Sequence, residues 1–282
     1  MSTYTIKKIL VPVDLSESSL NALNTAAVIA KENGAQLHIL YVEEPDYTFK
    51  EDKFPVLHNI SNPSDVLYAL GGAISQTHEV EPVFHEEEGD VTEMILKMAT
   101  FQKFDLVIMG KHGASGYRDC FAGSNTYKVI KHATCPVLSV PSRKKITSFG
   151  KILFPVRPVS RSLTGYEIVS HFIKPGATLN VLGLAYRQTE LGTGVLNAIV
   201  DEIRDQLKQD HISPFVSWGS GIAIAEDVIN YAINHHPELI VITNALDVTS
   251  KPNYIGPHTQ KIISTVKVPV LSLKNVNVPA FA

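Results

Sequence analysis

The chain has 282 residues, 44% hydrophobic and 19% charged, which suffices for two cores of about 140 residues each and excludes a disordered chain. Twenty-five Lys and Arg against 28 Asp and Glu leave a formal charge of −3, so there is no basic footprint for duplex nucleic acid or an anionic membrane surface. The only two cysteines, Cys120 and Cys135, make no disulfide framework and read as free thiols of a reducing compartment.

The first residues run straight into a short apolar stretch, without the h-region and cleavage site of a secretory leader. No apolar run approaches the ~20 residues that span a bilayer. These features predict a soluble, cytoplasmic protein with neither a nucleic-acid nor a membrane partner.

In chain order, strand-like runs alternate with helical patterns. Ile9–Val13 predicts a strand, and Ser16–Asn33 an amphipathic helix ended by Gly34. Leu37–Val42 predicts the second strand, and Asn62-Pro63 opens a helix running to about His78, with proline at the first helical position. Val80–Phe84 predicts the third strand, Asp90–Thr100 a helix behind the Gly89-Asp90 start, and Leu106–Met109 a fully apolar strand. A glycine-rich loop follows, then a helix over Asn125–His132 and a last strand over Val137–Val140.

The second half repeats this order, with helices near Ser162–Phe172, Gly194–Gln209, Ala223–Asn234 and Thr259–Val266. The segment Lys7–Asp14 returns as Gly150–Arg157, Asp105–Met109 as Glu238–Ile242, and Lys128–Ser139 as Lys261–Ser272. Three matched segments in one order argue for an internal duplication. The domains fall at 1–141 and 149–282, joined by a polar, basic linker over 142–148. Strands apolar on both faces and alternating with helices predict two tandem doubly wound parallel five-stranded α/β sheets, with helices on both faces. Ligands of such sheets bind at the carboxyl ends of the strands, near the switch in strand order.

After the fourth strand, Gly110, Gly113, Gly123 and Ser124 form the pattern G-x2-G-x9-G-S, with a helix starting directly behind it. Free amides at a helix start, unobstructed by Cβ atoms, make an anion nest, and the Ser124 hydroxyl adds a donor. The alternative is a surface loop with Ser124 as a helix N-cap.

The chain resembles the universal stress protein family over nearly its whole length, as a tandem of two such domains. The resemblance rests on Ile9–Asp14, Gly89-Asp90, Asp105–Gly113, Gly123-Ser124 through Ile130, and Cys135–Leu138. It implies an adenine nucleotide α-hydrolase-like fold and a site for ATP, alone or with Mg. The roles it implies are Asp14 near the ribose, Val42 presenting its backbone near adenine, and Gly110, Gly113, Gly123 and Ser124 around the phosphates, assisted by Thr126. Pro12, Val13, Met109, Lys111, His112 and Asn125 complete the expected binding set. The resemblance also implies that the two domains pair within the chain through their last strands, and that whole chains form a homodimer.

Each role has a competitor. Asp14 suits an N-cap with Glu17 as its capping-box partner. Lys111 and His112 are loop cations within reach of a phosphate, or solvated side chains. Arg118 lies in the middle of the loop, and Cys120 reads as a bystander. His235 and His236 are adjacent on a helix and face different ways; no metal-binding spacing occurs. Trp218 reads as a packing residue.

The second half departs from the pattern. Arg157 replaces Asp14, Asn244–Asp247 replaces Gly110–Gly113, and Gly256-Pro257 replaces Gly123-Ser124. Side chains enter where glycines stood, Asp247 adds negative charge, and Pro257 removes a backbone donor. One competent and one degenerate nucleotide domain are expected.

Three classes compete: a nucleotide-binding module of stress response or signalling, an adenine-nucleotide hydrolase or transferase, and a receiver-like phosphorylation switch. Related hydrolases resemble one another in a Ser-Gly-Gly-x-Asp-like loop after the first strand, where this chain has Val13-Asp14-Leu15-Ser16. A receiver needs clustered acids, which Val11–Asp14 does not offer, and the Walker loop is absent. The binding module is the favoured reading, with at most slow hydrolysis.

Overall fold

The structure, a computed structural model, describes residues 4–44, 63–111, 124–142, 149–159, 166–173, 176–185, 190–208, 214–247 and 256–273. The chain forms two compact units, one over Ile6–Thr147 and one over Ser148–Ala282 together with Met1–Thr5.

The first unit contains β1 (Lys8–Pro12), α1 (Glu17–Asn33), β2 (Gln36–Glu43), α2 (Pro63–His78), β3 (Val83–Glu88), α3 (Val91–Phe101), β4 (Leu106–Gly110), α4 (Ser124–His132) and β5 (Val137–Val140). All strand pairs are parallel, in the order β3-β2-β1-β4-β5. The second unit contains β6 (Lys151–Val156), α5 (Tyr166–Val169), β7 (Thr178–Leu184), α6 (Glu190–Lys208), β8 (Phe215–Gly219), α7 (Ile224–His235), β9 (Leu239–Thr243), α8 (Pro257–Thr265) and β10 (Val270–Leu273). Its parallel order, β8-β7-β6-β9-β10, is the same topology. Each unit is therefore a doubly wound, five-stranded α/β sheet.

Local chemistry explains the elements. The central strands are buried on both faces, as their continuous apolar runs require. Helix α1 is capped by Ser16, whose hydroxyl accepts from Ser19 N, and ends at Gly34 in the left-handed region with φ 62°. Helix α3 is capped by Asp90, which accepts from Glu93 N at 2.8 Å. The duplication extends to a polar clamp at the amino ends of the strands. Asp105 accepts from Lys7 N and Lys8 N at 2.8 and 2.9 Å, and Glu238 accepts from Gly150 N at 2.5 Å. In both units an acid preceding the fourth strand ties down the start of the first.

Three expectations shift. The third strand is β3 over Val83–Glu88, not Val80–Phe84. Among the described residues it pairs with β2 alone, so solvent reaches it, and His85 and three glutamates stand in line along it. In place of one helix near Ser162–Phe172, the described residues hold the four-residue α5 followed by a 3-10 turn over Ser170–Phe172. Helix α6 starts at Glu190 and runs through Gly194, where an added Cβ would meet nothing within 4 Å.

Trp218 lies across Gly183 of the neighbouring strand, where a Cβ would come within 2.7 Å of the indole, and its ring remains half-exposed. His235 ends α7 against Tyr231, whereas His236 is the left-handed C-cap. On the first sheet, His38 is buried against Phe104 and stacked on His85. His38 Nε2 faces Gln36 Oε1 at 2.9 Å and Nδ1 faces His85 Nε2 at 2.8 Å. With Nε2–H donated to the Gln36 carbonyl, Nδ1 is left to accept from His85, so His38 is held neutral.

Candidate functional site

The strand order of the first unit reverses between β1 and β4, so the crevice lies above the carboxyl ends of β1, β2 and β4. Pro12 and Val13 are buried, and Val13 N donates to Leu40 O at 2.8 Å, joining the end of β1 to β2. Val42 lies one strand over, half-buried in register with Glu87.

Asp14 is exposed at the β1–α1 turn. Its Oδ1 accepts from Ser16 N at 3.1 Å and from Ser16 Oγ at 2.5 Å. Asp14 is thus not the N-cap; it orients Ser16, which is. Between them Leu15, buried, has φ 62°, a conformation uncommon for a bulky residue. That left-handed residue turns the chain sharply and brings a cluster of hydroxyls to the crevice: Ser16 Oγ lies 3.2 Å from Ser18 Oγ, and Ser19 Oγ donates to Ser16 O at 3.0 Å. Sequence reading missed this cluster, although the run Ser16-Glu17-Ser18-Ser19 at a helix start was a visible signal.

At the end of β4, Met109 is buried and pairs in register with Ser139, and Gly110 with Val140. Gly110 has a packing reason for being glycine. A Cβ there would lie 2.7 Å from the Ser18 carbonyl carbon and 2.8 Å from Ser19 N, so the first turn of α1 sits directly against it.

Lys111 follows, with its amide donating to Val140 O at 2.8 Å. Its side chain is only 2% exposed, which excludes the solvated alternative. Burial pushes its pKa down to about 8, because the charged form is the one desolvation penalises.

His112, Gly113 and Gly123 of the expected set, with Arg118 and Cys120, lie outside the described residues. Ser124 is the first residue of α4. Thr126 is buried and its hydroxyl donates to Gly110 O at 2.9 Å, tying α4 to the end of β4. Asn125 Oδ1 accepts from Thr92 Oγ1 at 3.2 Å, linking α4 to α3. Both side chains therefore position the helix start. Among the described residues, Asp14, the serine cluster, Gly110, Lys111 and the first turn of α4 come together at one end of one sheet.

A sheet of this strand order, with a crevice at its strand switch, defines a doubly wound α/β domain. The family model described as "Universal stress protein family" matches residues 5–141. A universal stress protein of Methanocaldococcus jannaschii is 33% identical over 144 residues, covering 49% of this chain and 84% of that protein. Universal stress protein A homolog 1 of Coxiella burnetii is 28% identical over 138 residues, covering 48% and 95%. Both units are matched in fold by a universal stress protein from Archaeoglobus fulgidus, at a TM-score of 0.73 and 16% identity over 96% of this chain and 100% of that one. The chain belongs to the universal stress protein family.

Proposed function

We propose that the first unit binds ATP and that the protein acts as a nucleotide-responsive module in stress response or signalling, with one site per chain. The observation that carries this reading is where the glycine pattern begins and ends: Gly110 closes β4 and Ser124 opens α4. The intervening sequence holds Gly113 and Gly123, and a phosphate bound there is expected to meet the amino end of a nine-residue helix. The buried Lys111 ammonium at the loop's root suits the same charge.

The described residues fit the ligand in kind. Asp14, an exposed carboxylate at the end of β1, suits ribose hydroxyls, and the backbone of Val42 at the end of β2 suits an adenine edge. Bound ATP, with Mg, would supply negative charge that the Lys111 cation and the α4 amides neutralise. Nothing described places a general base beside a water position, so hydrolysis is expected far below the ~10 s⁻¹ enzyme median.

Titration calorimetry on the full chain is expected to show one ATP site, lost in both Gly113→Val and Gly123→Val, with the far-UV spectrum unchanged. A branched side chain at either position stands where backbone must approach phosphate. Parent-like binding by both variants, or two equal sites in the parent, would overturn the reading.

A further inference from the structure

In the second unit β9 ends at Thr243 as β4 ends at Gly110 in the first, so Asp247 takes the place of Ala114, one residue past Gly113, and α8 corresponds to α4. Its charge was expected to repel a phosphate. The structure shows a different arrangement. Asp247 is buried, 4% exposed, and both of its oxygens are engaged by the first turn of α8. His258 N donates to Oδ1 at 2.9 Å and Thr259 N donates to Oδ2 at 3.0 Å. Two successive amides on the two oxygens of one anion is how a helix start holds a phosphate or carboxylate.

The surroundings are shaped to that carboxylate. Gly256, the N-cap of α8, has extended backbone, and a Cβ there would lie 2.5 Å from Asp247 Oδ1. Arg157, at the end of β6, donates Nη1 to Leu246 O at 3.0 Å, next to Asp247 in the chain. Burial lowers the pKa of that guanidinium and the charge of Asp247 opposes the shift, so the two charges sense each other. The Thr259 hydroxyl is buried with no partner among the described residues, a donor in hand at the same helix turn. Thr126, its counterpart in the first unit, donates to Gly110 O instead.

We propose that Asp247 is an intramolecular ligand: its carboxylate fills an intact oxyanion cradle at the start of α8, and its presence is what keeps phosphate out of the second unit. The second unit is then permanently occupied by its own side chain. The site beneath takes a tetrahedral oxyanion once the carboxylate is removed, with Arg157 supplying the countercharge. Taking the start of α8 for a phosphate-type cradle rests on the phosphate reading of α4 in the first unit, but the experiment observes α8 alone.

The test is hydrogen exchange of the His258 and Thr259 amides in the full-length Asp247→Gly variant, with inorganic phosphate as the probe. Without phosphate, these amides are expected to exchange about tenfold faster than in the parent, the effect of losing a charge-assisted bond. Millimolar phosphate is expected to slow them again in the variant and to leave the parent unchanged. Parent-like exchange in the folded variant, or fast exchange that phosphate does not slow, overturns the proposal. Asp247→Asn guards against a variant that fails to fold, since it keeps the volume and one acceptor. It is expected to exchange faster than the parent and to ignore phosphate; a parent rate, or slowing by phosphate, refutes the carboxylate's role. ATP-dependent protection of α4 in the same samples reports on the first unit separately.

Discussion

The paired histidines of the first sheet make acid a specific destabiliser of that unit. Burial, then the neighbouring charge on His85, then Lys8, push the pKa of His38 down from 6.5 to about 4. Burial likewise lowers that of His85, against the opposing charge of Glu87. A folded pKa below the unfolded one means that the unfolded chain takes up the proton first. Stability is therefore fully present above pH 6.5 and is lost as pH falls toward 4. For His38 alone the full shift corresponds to about 3 kcal/mol, and between pH 7 and pH 5 the loss is about 2 kcal/mol.

Removing the titrating ring while keeping hydrogen-bonding capacity, as in His38→Gln, should cancel that loss. The sole tryptophan, Trp218, lies in the second unit and cannot report on it. Hydrogen exchange of the β2 amides does. Once each rate is corrected for the intrinsic pH dependence of exchange, protection in the parent is expected to fall roughly twentyfold more than in the variant between pH 7 and pH 5. Equal losses would refute the reasoning from a neutral His38, because carboxylates elsewhere titrate alike in both proteins.

Other consequences are as direct. Gly110→Ala drives a methyl into the backbone of Ser18 and Ser19 and is expected to cost about 1–3 kcal/mol in denaturant unfolding of the first unit; a neutral effect would show that α1 yields freely. Lys111→Met is expected to weaken ATP binding yet to stabilise the nucleotide-free unit at pH 7. Because the native pKa of Lys111 is about 8 against 10.5 unfolded, parent stability should rise from pH 8 to 10.5 and the variant's should not; matching curves would contradict the lysine's burial. Ser16→Ala removes the α1 cap and is expected to cost about 1 kcal/mol, read by exchange of the first-turn amides, where an unchanged rate would refute the cap.

Short-range physics made much of this molecule legible from sequence. Alternating strand and helix patterns, the Ser16 start and Gly34 stop of α1, and the proline opening of α2 depend on residues within a turn of one another. The duplication was legible because both units must bury the same central strands, and so repeat the same apolar runs. The strand β3 was misplaced because among the described residues it is paired on one side, which lets Glu86, Glu87 and Glu88 occupy it and hides it from any hydrophobic signal.

Only the tertiary structure decided what particular side chains do. Gly110 is glycine because the first turn of α1, some ninety residues earlier, closes on it, and Thr126 spends its hydroxyl on the carbonyl of that glycine. Lys111 reads as a loop cation, yet it is buried. Asp247 looked like a charge that spoils a phosphate site, and it proved to sit on the α8 amides as their anion. Those roles follow from strand order and helix placement, which bring distant segments to one sheet end. Sequence spacing sets which residues are available there, and the sheet order, through long-range packing, sets which of them meet.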